Sequence, residues 1–165
     1  MGTPKATTAD LQDEGFTATQ FGGLAAADFL AYLTRVITSA SLWVEQKCTA
    51  AAYAAMPAGS YAEDSARQAE TNYAAAVLFR RRIVFYEANA ASGNNKDEAM
   101  VLAELRKHHD ARLQDANYWL GEAMRAMGID ESTLYDGTGV VSGFVETGRY
   151  PLSTTPGALP PPGSP

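Results

Sequence analysis

Leu102, Leu105, His109, Leu113, Ala116, Leu120, Ala123 and Met127 recur at spacings of three and four without a break. Such a stripe keeps to one face of an α-helix and fits no strand, where side chains alternate with a period of two. Asn95 and Glu98 have the spacing of a capping box ahead of it, and Gly128 stands where such a helix ends. The helix so predicted, from about Asn95 to Met127, spans roughly 48 Å at 1.5 Å per residue. In a chain of 165 residues, a helix of that length buries its stripe only against partners of similar length, so an antiparallel bundle is expected.

Two partners are present. Leu30, Leu33, Ile37, Ala40, Val44 and Ala51 mark one face of a helix predicted from about Asp28 to Tyr53, ended by Pro57 and Gly59. Ser60 and Glu63 repeat the capping-box spacing and open a further helix, predicted to run to about Ala91 and to stop at Gly93. The fold class expected is all-α: three long antiparallel helices with a short N-terminal helix and an extended C-terminal arm. Residues 1–27 are polar and small and are expected to form a mobile lead-in with a short helix near Ala18 to Leu24. Residues 28–128 form the helical bundle. Residues 129–165 hold most of the prolines and the late glycines. They form an arm with too little apolar side chain to build a core, suited to being held as an extended strand by something else.

Net charge and composition restrict the function. The chain carries −6, which argues against a protein whose main task is gripping a nucleic-acid backbone. One cysteine, Cys48, excludes an intramolecular disulfide. The opening residues contain no apolar run of the signal-peptide kind, and no stretch approaches the roughly 20 apolar residues of a membrane span. No membrane partner is expected.

The centre of the chain reads "AAAVLFRRRIVFYEANAA", Ala74 to Ala91. On a helix, Arg80, Arg81 and Arg82 fan over about 200° at 100° per residue. Tyr73, Val77 and Val84 take one side, Ala74, Leu78 and Phe85 a second, and Phe79, Ile83 and Tyr86 a third. A helix apolar nearly all round is central in its assembly. One face packs inside the monomer, and another is expected to meet a further surface with arginines at the rim, where guanidinium groups stack on aromatics and pair with carboxylates. Arg80, Arg81, Arg82, Phe79 and Tyr86 are the interface residues expected here, with Tyr150 and Leu152 as anchors on the arm. The competing reading is structural: the arginine stems lie over the bundle and pair with Glu63, Glu70, Glu87 or Glu104.

Catalytic chemistry finds little to stand on. Glu104 and His108 share a helix face at a spacing of four, which is two ligands at most and also an ordinary ion pair. His109 lies on the apolar stripe. Asp130, Glu131 and Asp136 do not fit a calcium loop, and Gly137 and Gly139 lack the spacing of a phosphate loop. No nucleophile, base and acid can be assembled. A non-enzymatic protein without cofactor or metal is expected.

Two segments carry a resemblance. "LTRVITSASLWVEQKC" has Leu33, Ile37 and Ala40 followed by Trp43-Val44-Glu45, and "AAAVLFRRRIVFYEANAA" leads an alanine run into Phe85-Tyr86-Glu87. With "TATQF", Thr17 to Phe21, ahead of them, they resemble the small helical head–tail connector, or adaptor, proteins of tailed bacteriophages. The resemblance covers roughly residues 17 to 90 and rests on packing patterns rather than catalytic signatures. The long third helix and the proline-rich tail go beyond the compact family pattern. The resemblance implies a structural subunit of a phage neck, assembled in the bacterial host cytoplasm and resident in the virion. It implies self-association into a dodecameric ring below the portal protein, contact with the next neck or tail-completion protein, and DNA passing the lumen without specific binding. A ring subunit needs two different lateral faces, and acidic walls would not trap phosphate. The reading from another class is a small helical bacterial accessory or regulatory protein that binds a protein partner or nucleic acid.

Overall fold

The structure, a computed structural model, describes residues 2–90 and 96–130, with the side chains of all of these except 89, 90 and 96–98. In chain order the elements are α1 (Thr8–Asp13), a 3-10 turn (Ala18–Phe21), α2 (Ala26–Cys48), α3 (Ala50–Ala54), α4 (Tyr61–Ala90) and α5 (Lys96–Ala126). No strand occurs among the described residues. The fold class is all-α.

Most of these boundaries follow from local chemistry. The Ser60 hydroxyl accepts the Glu63 N–H at 3.2 Å, and the Glu63 carboxylate accepts the Gly59 N–H at 2.7 Å. The first satisfies a donor that the first turn of α4 leaves unpaired, and the second ties the preceding loop to that turn. Gly128 ends α5 with φ +67°, a conformation that glycine adopts without a Cβ penalty. Asp28 lies in the first turn of α2, where a negative charge is favoured. The expected capping pair at the start of α5 includes Asn95, which lies outside the described residues.

α4 is the element on which the others converge. It meets α5 along a seam that repeats every seven residues: Ala62, Ala69, Ala76 and Ile83 are all buried. Tyr61 donates its hydroxyl hydrogen to Glu122 at 2.8 Å, Arg112 donates to Asn72 at 2.7 Å, and Phe79 stacks on His108 at 5.4 Å. Low numbers on α4 meet high numbers on α5, so the two helices run in opposite directions. The small alanine side chains let the backbones approach closely. On α5 the stripe residues Leu105, His109, Ala116, Leu120 and Ala123 are buried, as their spacing requires.

α2 packs on another side of α4. Trp43 stacks on Tyr73 at 4.4 Å, and the Arg81 guanidinium sits 5.5 Å over the Tyr32 ring. Between the two helices lies a core of Leu33, Val36, Ile37, Ala40, Ala74, Ala75 and Leu78.

One expectation is corrected. The first long helix does not continue to Tyr53; it stops at Cys48 and restarts as α3 after Thr49, whose φ is +71°. The break swings Tyr53 inward to full burial. The lead-in is built into the fold. Thr7 and Asp10 form a reciprocal capping box at the start of α1, and Ala6, Leu11 and Phe16 join the core between α2 and α4. Asp10 also accepts a hydrogen bond from Arg67 of α4 at 3.2 Å, which ties α1 down.

Candidate functional site

The second half of α4 carries the surface on which the sequence concentrates its arginines. Arg80 and Arg81 are exposed and Arg82 is half-buried. Four residues on from Arg80 and Arg81, Val84 is 57% exposed and Phe85 63% exposed. Glu87 and Ala88, both exposed, continue the same face. At 100° per residue these side chains cover a single sector of the helix. An exposed phenylalanine beside two guanidinium groups is a composition that protein interfaces favour.

The structural alternative for these arginines loses its named partners. Glu63 takes the Lys5 ammonium at 3.3 Å, Glu87 takes Arg106 at 2.7 Å, and Glu104 lies 3.2 Å from His108. Glu70 is buried and accepts backbone N–H groups. Among the described residues no carboxylate lies within salt-bridge distance of Arg80, Arg81 or Arg82. Arg81 does lie over Tyr32, so one of the three is partly engaged within the chain.

The predicted interface residues do not share one placement, and Arg82 is half-buried. Arg80 and Arg81 face outward together. Phe79 points the other way: its ring packs edge-on against Phe16 at 5.1 Å and stacks on His108 at 5.4 Å. Tyr86 is half-buried and meets Phe85 edge-on at 5.7 Å. Tyr150 and Leu152 lie outside the described residues. Val84 and Phe85, which the helical pattern puts on packed sectors, instead complete the exposed face. The four-residue spacing puts them on one stripe with Arg80 and Arg81 but does not by itself tell an exposed stripe from a packed one. Met100, 70% exposed, and Val101 add apolar surface near the start of α5.

Other candidate chemistry resolves into structural roles. His109 is buried on the α5 stripe, with its Nδ1 2.9 Å from Asp110. Cys48 is buried, and burial pushes its thiol up to about 11. No group of three or more His, Cys, Asp or Glu side chains placed to hold a metal ion occurs among the described residues. A depression of about 340 Å³ is lined by Gln12, Phe16, Thr17, Ala18, Ala26, Phe29 and Leu30, without a titratable side chain. No helix among the described residues is long and apolar enough to cross a membrane.

No family model, no curated protein and no solved structure matches the chain.

Proposed function

We propose that this chain is a structural, non-enzymatic subunit that works by assembling with other proteins, as a ring-forming head-to-tail adaptor of a bacteriophage neck. In that role the three long helices form an antiparallel bundle and residues 129–165 form an extended arm that reaches a neighbour. The portal protein lies on one side of the ring and the next neck or tail-completion protein on the other, and DNA passes through the lumen. The observation that carries the reading is the outward face of α4: Arg80, Arg81, Val84 and Phe85 exposed together, with no carboxylate in reach of the arginines among the described residues. The resemblance of residues 17 to 90 to phage adaptors gives this face its use, as one of the two unlike lateral surfaces a ring subunit requires.

The test is a double charge reversal, Arg80→Glu with Arg81→Glu. Both side chains are exposed, so helical content and melting temperature should stay within the range of ordinary surface substitutions. Incorporation into the neck assembly should be lost. Normal incorporation would remove the interface, and a collapse of the fold would return the arginines to a structural role. An accessory or regulatory protein would instead remain monomeric or dimeric in every preparation.

A further inference from the structure

Glu70 takes no part in that outward face, yet it is a buried carboxyl with three hydrogen-bond contacts. It sits in the first half of α4 and is 0% exposed. Its Oε2 accepts the backbone N–H groups of Lys5 and Ala6, each at 2.8 Å. Its Oε1 is in hydrogen-bond contact with the Tyr53 hydroxyl of α3. The same hydroxyl lies 3.1 Å from the Thr3 carbonyl oxygen. One residue earlier, Gly2 donates its N–H to Glu45 of α2 at 3.1 Å. Gly2 also passes so close to the Tyr53 ring that a Cβ there would lie 2.7 Å from it. The first residues of the lead-in are strapped across the buried end of this network.

The two contacts of the Tyr53 hydroxyl make different demands on the Glu70 proton. A phenol carries one hydrogen, and Tyr53 Oη has an oxygen on each side. The Thr3 carbonyl has no hydrogen to give. Both contacts are full hydrogen bonds only if Glu70 supplies the second hydrogen. It then donates from Oε1 to Tyr53, Tyr53 donates to Thr3, and Oε2 still accepts the two amides.

We propose that Glu70, Tyr53 and Thr3 form a proton-gated latch on the lead-in: the neutral carboxyl holds the Thr3 end, and loss of its proton releases that end. Once ionised, Glu70 has no hydrogen to donate. The phenolic hydrogen turns to the carboxylate, the stronger acceptor, and the Thr3 carbonyl is left without its donor. The Lys5 and Ala6 amides bond better still to a charged oxygen, so release is confined to the residues ahead of Pro4. This latch is independent of the ring reading.

The charged and titratable neighbours agree with a retained proton. They are Tyr53 of α3, Glu45 and Cys48 of α2, Lys5 of the lead-in, and Glu63 and Arg67 of α4 itself. The Lys5 ammonium is held by Glu63 at 3.3 Å and stands 5.3 Å over the Tyr53 ring. Arg67 is engaged by Asp10 of α1. α5 meets α4 at Asn72 and Phe79, roughly half a turn round the helix from Glu70. Burial raises Glu70 above the usual carboxylate range, against the Ala6 and Lys5 amides, the Tyr53 hydroxyl and the Lys5 charge, which pull it down. Burial, then the bond to Glu70, holds the Tyr53 hydroxyl far above the usual phenol range. A carboxyl raised in the folded state contributes stability that is complete below its unfolded range and lost as pH rises through its folded value.

The test is a pH titration of the full chain by carbon-13 NMR, following the Glu70 carboxyl carbon and the Thr3 carbonyl carbon. Both signals should move together, with a midpoint above the ordinary glutamate range. Glu70→Gln offers the same set of bonds, since its oxygen accepts both amides and its NH₂ donates to Tyr53. In that variant the Thr3 signal should hold its low-pH position throughout, and the melting temperature should lose its dependence on pH across that interval. A Glu70 that titrates within or below the ordinary range overturns the latch. So does a Thr3 carbonyl that ignores the Glu70 titration, or a Glu70→Gln protein that loses the Thr3 position or fails to fold.

Discussion

Thr49 occupies φ +71° and ψ 145°, a region that is costly for a residue with a branched Cβ and open to glycine. The strain has a local use, because the break it makes between α2 and α3 turns Tyr53 toward Glu70 and Thr3. Its hydroxyl also accepts the Ala52 N–H at 3.4 Å, a long capping bond. Thr49→Gly removes strain of about 1–3 kcal/mol and loses a cap worth only a few tenths of a kcal/mol when the replacement is glycine. The variant should therefore melt higher than the parent, with Tyr53 unchanged; a lower melting temperature would mean that the threonine is not strained. Cys48, one residue earlier, is buried and has its thiol raised to about 11. Since the thiolate is the reactive form, native protein should resist alkylation at neutral pH, while denatured protein should react at the rate of a free thiol. Rapid alkylation of the native chain would place Cys48 at an accessible surface.

At the scale of the elements, the alanine seam between α4 and α5 sets the packing distance. Ala76 is 1% exposed and lies on the seven-residue stripe with Ala62, Ala69 and Ile83. Ala76→Leu should overpack this seam and cost about 1–3 kcal/mol, read as a lower denaturation midpoint with little change in helical content. An unchanged midpoint would show slack in the seam. This seam and the α5 stripe were legible in the sequence, because a period near 3.6 sustained over many turns has one structural solution. The break at Thr49 was not, since neither Cys48 nor Thr49 is a helix breaker. Nor was the docked lead-in, whose anchors Leu11 and Phe16 are too few and too widely spaced to form a periodic pattern. Three adjacent arginines could be read as partly outward on geometry alone. Val84 and Phe85 could not, because an apolar residue in a helical stripe reads as core until a neighbouring helix is seen to stop short of it.

At the scale of the whole molecule, two surfaces of the described residues have different prospects. The lead-in side is closed by the network around Glu70, whereas the end of α4 is left open with exposed apolar and cationic side chains. Residues 151–165 contain no charged residue, and proline dominates their final stretch. Ordering such a segment costs roughly 1–2 kcal/mol per residue, less where proline has already restricted φ. Truncation after Arg149 should leave the helicity and melting temperature of the remaining chain unchanged and reduce its entry into the assembly. Early melting would mean that the tail supports the helices, and undiminished entry would mean that it contacts no neighbour. All of this rests on the claim that the chain functions as one copy among many. Native mass spectrometry of the complex recovered through a tag on the full chain, from the cells in which it is naturally made, measures that directly. The account predicts a ring, dodecameric if the phage adaptor reading holds, that disappears with Arg80→Glu and Arg81→Glu. A single copy or a pair, unaffected by the double reversal, would contradict it.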